Sequence, residues 1–116
     1  FRPFAPVVLE EHYKEYFDTR GGPSPYMSRI CKVKTDKVPG ITHVDNTARI
    51  QTINIKDNEK FYNIVNEFYK ITGIPMLLNT SFNCQEPIVE TPQHALRTFR
   101  RTALNMLIIG DWVIKK

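Results

Sequence analysis

Cysteine is scarce in this chain, and its two copies, Cys31 and Cys84, stand alone without CxxC spacing. That excludes a disulfide framework and makes a reduced, cytoplasmic setting the expectation. No apolar run reaches the roughly 20 residues a membrane helix needs, so no membrane partner is expected. The opening FRPFAP lacks the long apolar core behind a basic end that marks a signal peptide. It also lacks an initiator Met, which leads us to expect a piece of a longer chain. No dense Lys/Arg run is present, so a nucleic-acid tail is excluded and nucleic acid is not expected as a partner. Gly21 and Gly22 are adjacent but lack the spacing of a dinucleotide fingerprint or a P-loop. No Ser-His-Asp arrangement and no acid/base carboxylate pair stand out, and neither does an internal repeat.

What is present describes an ordinary globular domain. The 116 residues fit one domain, with 41% hydrophobic and 24% charged content. The net charge of +4 and pI of 9.2 suit an anionic ligand such as a nucleotide, and equally a weakly basic surface.

The chain is organised around TGIPMLLNTSFN, residues 72–83. Gly73 and Pro75 stop a helix, and Ile74–Leu78 has the length of a buried strand. The strand opens into Asn79, Thr80, Ser81 and Asn83. In open α/β sheets ligands sit outside the carboxyl ends of strands. These neutral side chains donate and accept, so they suit phosphate oxygens, a carboxamide or a ribose. They also suit an ordinary polar turn.

In chain order, the pattern predicts a strand at Ala5–Leu9 and a short helix within Glu10–Asp18. Tyr13, Tyr16 and Phe17 form a core stripe there. TRGGPSP, residues 19–25, reads as a flexible loop. A strand follows at Tyr26–Lys34, then a turn at Asp36–Gly40. The second half of residues 41–54 alternates as a strand. Arg49, Gln51 and Ile53 lie on one face, and Ile50 and Thr52 on the other. A semi-buried arginine needs an anion. Asp45, Glu86 or a ligand phosphate would each serve. His43 and Asp45, two apart, are too few ligands for a metal site, and no metal site is assigned. Phe61, Ile64, Val65, Phe68 and Ile71 give Asn58–Ile71 a helical apolar stripe, capped by Asp57 or Asn58. Glu86–Val89 is extended. Thr91-Pro92 starts a helix that turns Ala95, Leu96 and Phe99 inward and leaves Arg97, Arg100 and Arg101 in solvent. Leu104–Ile109 reads as a buried strand, Gly110-Asp111 as a turn, and Trp112–Ile114 as an edge or hairpin strand. The whole is an α/β fold with a twisted mixed sheet and packed helices.

The words FRPFAPVVLEE, SPYM, THVDNTARIQT, TGIPMLLNTSFN, EPIVETPQHALRTFRRT and GDWVIKK occur in this order across nearly the whole chain. Together they resemble the C-terminal domain of the O-carbamoyltransferases, the family of nodulation-factor and antibiotic carbamoyltransferases. The resemblance implies a YrdC-like fold for residues 1–116. It implies that ATP (with Mg2+) and carbamoyl phosphate are substrates, forming a carbamoyl-adenylate with release of pyrophosphate and phosphate. It further implies an N-terminal, actin-like ATPase-type domain as partner. There a bound metal would assist transfer of the carbamoyl group to the hydroxyl of a small acceptor molecule. The family's anion-binding residues map onto Arg2, Arg49, Asn79 and Ser81. Arg49 and Ser81 are the expected catalytic groups, and Asn83, Thr47 and His43 complete the binding set. Ser81-Phe82-Asn83 supplies the SxN half of the YrdC-type signature, whose KxR half is expected upstream of Phe1. Cys84-Gln85-Glu86 stands where many members carry a glycine before EP, leaving the loop a residue shorter. A non-catalytic nucleotide- or RNA-binding module of the same fold is the alternative.

Overall fold

The computed structural model describes residues 4–116. Arg2 lies outside the described residues. The chain divides into two compact units, residues 1–80 and 81–116.

The first unit is a five-stranded mixed sheet with a helix on one face. Its strands are β1 (Ala5–Leu9), β2 (Phe17–Asp18), β3 (Arg29–Val33), β4 (Thr47–Ile53) and β5 (Met76–Asn79). Their order is β2-β3-β4-β1-β5. β1 runs parallel to β4 and antiparallel to β5, and the other pairings are antiparallel. The mixed α/β sheet expected from the sequence is therefore present.

Alternation along the strands builds two cores. Val8, Phe17, Cys31, Val33, Ala48, Ile50 and Met76 pack together on one face with Tyr13. Val7, Leu9 and Ile53 pack on the other against Val65 of α2 (Glu59–Thr72). The α2 ends follow the local chemistry. Asn58 caps the first turn by accepting from the Phe61 amide, and Gly73 closes the last with φ 73°.

Several expectations change in detail. The stretch expected as a helix within Glu10–Asp18 contains only one turn, α1 (Tyr13–Tyr16). The Lys34 amide donates to the Tyr16 carbonyl at 2.8 Å, so the sheet takes an acceptor that a longer helix would use. Phe17 then enters β2 opposite Val33. The strand expected from Tyr26 begins only at Arg29. The preceding residues form a turn in which the Ser28 amide donates to Ser24 Oγ at 3.2 Å. Ser24 is itself buried, and its amide donates to Thr52 Oγ1 at 2.9 Å. The end of the TRGGPSP loop is thus pinned to β4. On α2 the buried stripe is narrower than expected. Val65 is buried and Phe61, Tyr62 and Tyr69 pack beside it, whereas Ile64, Phe68 and Ile71 are exposed.

The second unit contains α3 (Pro92–Arg101) and a hairpin of β6 (Met106–Ile109) and β7 (Trp112–Lys115). Thr91 caps α3 by accepting from the His94 amide at 3.1 Å. Ala95, Thr98 and Phe99 are buried, while Arg97, Arg100 and Arg101 are exposed. Leu104–Ile109 was expected to be buried, and Trp112–Ile114 to be the edge or hairpin strand that β7 is. Met106 and Ile108 are instead exposed, as are Trp112 and Val113, because a two-stranded ribbon leaves side chains on both faces without a third layer. Among the described residues no helix is long and apolar enough to cross a membrane.

Candidate functional site

The sheet face that carries α2 is apolar only over part of its area. Strand register shows why. Ala5 is opposite Asn79 and Val7 is opposite Leu77, while Val7 is also beside Gln51. One step of two residues back along the parallel pair brings Ala5 beside Arg49. Arg49, Ala5 and Asn79 therefore form one row across three strands. Gln51, Val7 and Leu77 form the next, and Leu9 and Ile53 belong to the row beyond. Ile30 of β3 extends the first row beside Arg49, and Lys32 faces Thr47. The apolar rows meet α2. The first row presents a guanidinium and a carboxamide.

Arg49 is half-buried, and its Nε is fully enclosed with no hydrogen-bond partner among the described residues. An enclosed guanidinium donor without an acceptor is costly, so this geometry calls for an anion or a carbonyl. The protein carboxylates considered for that role have other partners. Asp45 accepts from Thr47 Oγ1 at 2.5 Å and from the Thr47 amide at 3.1 Å. These bonds, the Thr47 hydroxyl foremost, hold its carboxyl below the usual range. Glu86 accepts from Thr98 Oγ1 at 2.5 Å and from the Gln85 amide.

Asn79, the last residue of β5, donates through Nδ2 to Gln51 Oε1 at 2.7 Å. Sequence reasoning placed Gln51 beside Arg49 but did not assign it to the site. The alternation of β4 was the available signal. The carboxyl-end rule applies to β5 alone. Because β5 is antiparallel to β1, its carboxyl end meets the amino ends of β1 and β4.

His43 and Thr47 bracket the turn that leads into β4. The His43 amide donates to the Thr47 carbonyl at 2.8 Å, and His43 Nδ1 stands 3.3 Å from Asp45 Oδ1. Among the described residues no three His, Cys, Asp or Glu side chains are grouped to hold a metal.

Ser81 and Asn83 belong to the second unit. There Ser81 Oγ donates to Asn83 Oδ1 at 2.8 Å, and Asn83 Nδ2 donates to the Glu86 carbonyl at 2.9 Å. Through Glu86 and Thr98 this polar loop is tied to α3. That link joins residues far apart in sequence, and no spacing rule would have found it. Hydrogen bonding from Thr98, before all else, lowers the Glu86 carboxyl to about 2. The structure thus brings Arg49 and Asn79 onto one face, adds Gln51, and holds Ser81 with Asn83 in a separate unit.

The family model for the carbamoyltransferase C-terminus matches residues 1–116. Nodulation protein NolNO of Sinorhizobium fredii is 43% identical over 122 residues, covering 100% of this chain and 18% of that protein. Nodulation protein NolO of Bradyrhizobium diazoefficiens is 42% identical over 122 residues, covering 100% and 22%. Nodulation protein U of Rhizobium tropici is 40% identical over 86 residues, covering 72% and 15%. The chain spans about a fifth of the length of these relatives or less.

Proposed function

Since this chain belongs to the carbamoyltransferase C-terminus family, we propose that it is the part of an O-carbamoyltransferase that binds ATP and carbamoyl phosphate and forms a carbamoyl-adenylate. The observation that carries this reading is the enclosed Arg49 Nε, without a partner among the described residues, on the same sheet face as the Asn79–Gln51 amide pair. A fixed guanidinium suits a phosphate or a carbonyl oxygen, because its planar fork offers several donors at once.

The reaction needs positioned charge more than a protein nucleophile. Water releases inorganic phosphate from carbamoyl phosphate and leaves carbamate. A carbamate oxygen bonds to the α-phosphorus of ATP as the α–β anhydride breaks, and the electron pair leaves with pyrophosphate. Arg49 and Ser81 stabilise the developing charge, and Arg2, Asn79, Asn83, Thr47 and His43 orient the two substrates. Mg2+ would accompany ATP and offset part of the triphosphate's charge. Transfer to the acceptor hydroxyl, with loss of AMP and a proton, would fall to an N-terminal domain, where a metal would assist it.

The test is pyrophosphate release by the full-length protein given ATP and carbamoyl phosphate. Release that needs both substrates supports the reading. Tight ATP binding without release would instead indicate a non-catalytic nucleotide-binding module.

A further inference from the structure

We propose that Gln51 and Asn79 act as one amide pair that recognises a carbamoyl group, with Gln51 as the residue that positions Asn79. The starting point is the 2.7 Å bond from Asn79 Nδ2 to Gln51 Oε1. A carboxamide has one acceptor oxygen and a two-hydrogen donor. A single bond between two carboxamides uses one oxygen and one N–H. It leaves one oxygen, one complete NH2 group and the second N–H of the donating amide open. Turning both amides over exchanges the roles of the two residues but leaves the same inventory. The pair therefore always offers an acceptor beside a donor. Arg49 Nε, on the same face, adds an enclosed donor.

This pattern discriminates between ligand groups. A phosphate offers acceptors and would meet the open amide oxygen with repulsion. A carbamoyl group carries a carbonyl acceptor and an NH2 donor on one planar unit, which is the complementary arrangement. An acetyl group has the same shape but a methyl in place of the NH2, so it would leave the protein's amide oxygen unpaired.

The division of labour follows from the sheet. Gln51 sits on β4, which has neighbours on both sides, while Asn79 ends the edge strand β5. The Asn79 side chain is the one that needs holding, and Gln51 is placed to hold it. That the ligand is carbamoyl phosphate rests on the function proposed above; the donor–acceptor pattern does not.

The experiment measures binding of carbamoyl phosphate, acetyl phosphate and inorganic phosphate to the full-length protein by calorimetry, together with the melting temperature. Wild type should prefer carbamoyl over acetyl phosphate by at least about tenfold, since a site built to pair an N–H rejects the analogue lacking it. Gln51→Leu should erase that preference while changing inorganic phosphate binding by less than about twofold, because the partner removed reads the amide and not the anion. Gln51→Met, closer in length, repeats the measurement should Gln51→Leu not fold. Arg49→Ala should weaken all three ligands. Absence of the preference in wild type, or its survival in a folded Gln51 variant, overturns the amide-pair inference and leaves the anion site standing. Unchanged binding of all three ligands by folded Arg49→Ala overturns the anion site itself.

Discussion

Arg49 is where chemistry and packing can be separated by one substitution. Its Nε is enclosed without a partner among the described residues, so removing the side chain breaks no bond to a described carboxylate. In the full-length protein, Arg49→Ala should therefore melt close to wild type. It should lose about 30- to 1,000-fold in pyrophosphate release, the scale for one donor that stabilises developing charge. Arg49→Lys should recover only part of that, because an ammonium cannot reproduce the planar fork. A large fall in melting temperature with normal turnover would instead make Arg49 scaffold. Glu86 supports a second prediction at this scale. Its folded value of about 2 lies below the ordinary 4.5, with the Thr98 hydroxyl as the largest cause. A carboxyl depressed in this way contributes its stability in full above about pH 4.5 and loses it as pH falls through about 2. Thr98→Val should accordingly make the acid-side decline in melting temperature shallower than in wild type, as thermal scans between those two pH values would show.

The elements show which local signals survive folding. Asn58 and Thr91 were legible as helix starts because a cap needs only its own side chain and an amide two or three residues on. Asn58→Ala should cost about 1 kcal/mol in denaturant unfolding while leaving ligand binding unchanged, since it touches only the first turn of α2. The short α1 and the late start of β3 were not legible. They depend on the Lys34 amide reaching the Tyr16 carbonyl and on Ser24 bonding Thr52, contacts made between distant segments. For the same reason the stripe at Ile64, Phe68 and Ile71 had the right period yet stayed exposed. Periodicity says which residues share a face, and the width of the opposing sheet says how many are covered.

At the scale of the whole molecule, the two units differ in what they can bury. Residues 1–80 enclose two cores on either face of the sheet, while residues 81–116 enclose chiefly Ala95, Thr98 and Phe99. The smaller unit lies below the roughly 40 residues at which chains usually need a staple or a partner to fold. A fragment of residues 1–80 should melt cooperatively, and a peptide of residues 81–116 should show little helix by circular dichroism. A cooperative melt of the peptide alone would contradict this.

The sequence by itself determined the mixed α/β character, the Ala5–Leu9 strand, the capped helices and the family. Each rests on short-range pattern or on words read in order along the chain. It also put Arg49 and Gln51 on one face, because strand alternation is local. Only the tertiary structure decided that Asn79 meets Gln51, since that requires β5 to lie antiparallel to β1 while β4 lies parallel to it. Only the tertiary structure left Arg49 Nε enclosed without a partner among the described residues, while the Asp45 carboxylate two residues before Thr47 is engaged by the Thr47 hydroxyl and amide. Pairing partners across a sheet are chosen by packing and register, and neither is written in the spacing of one strand.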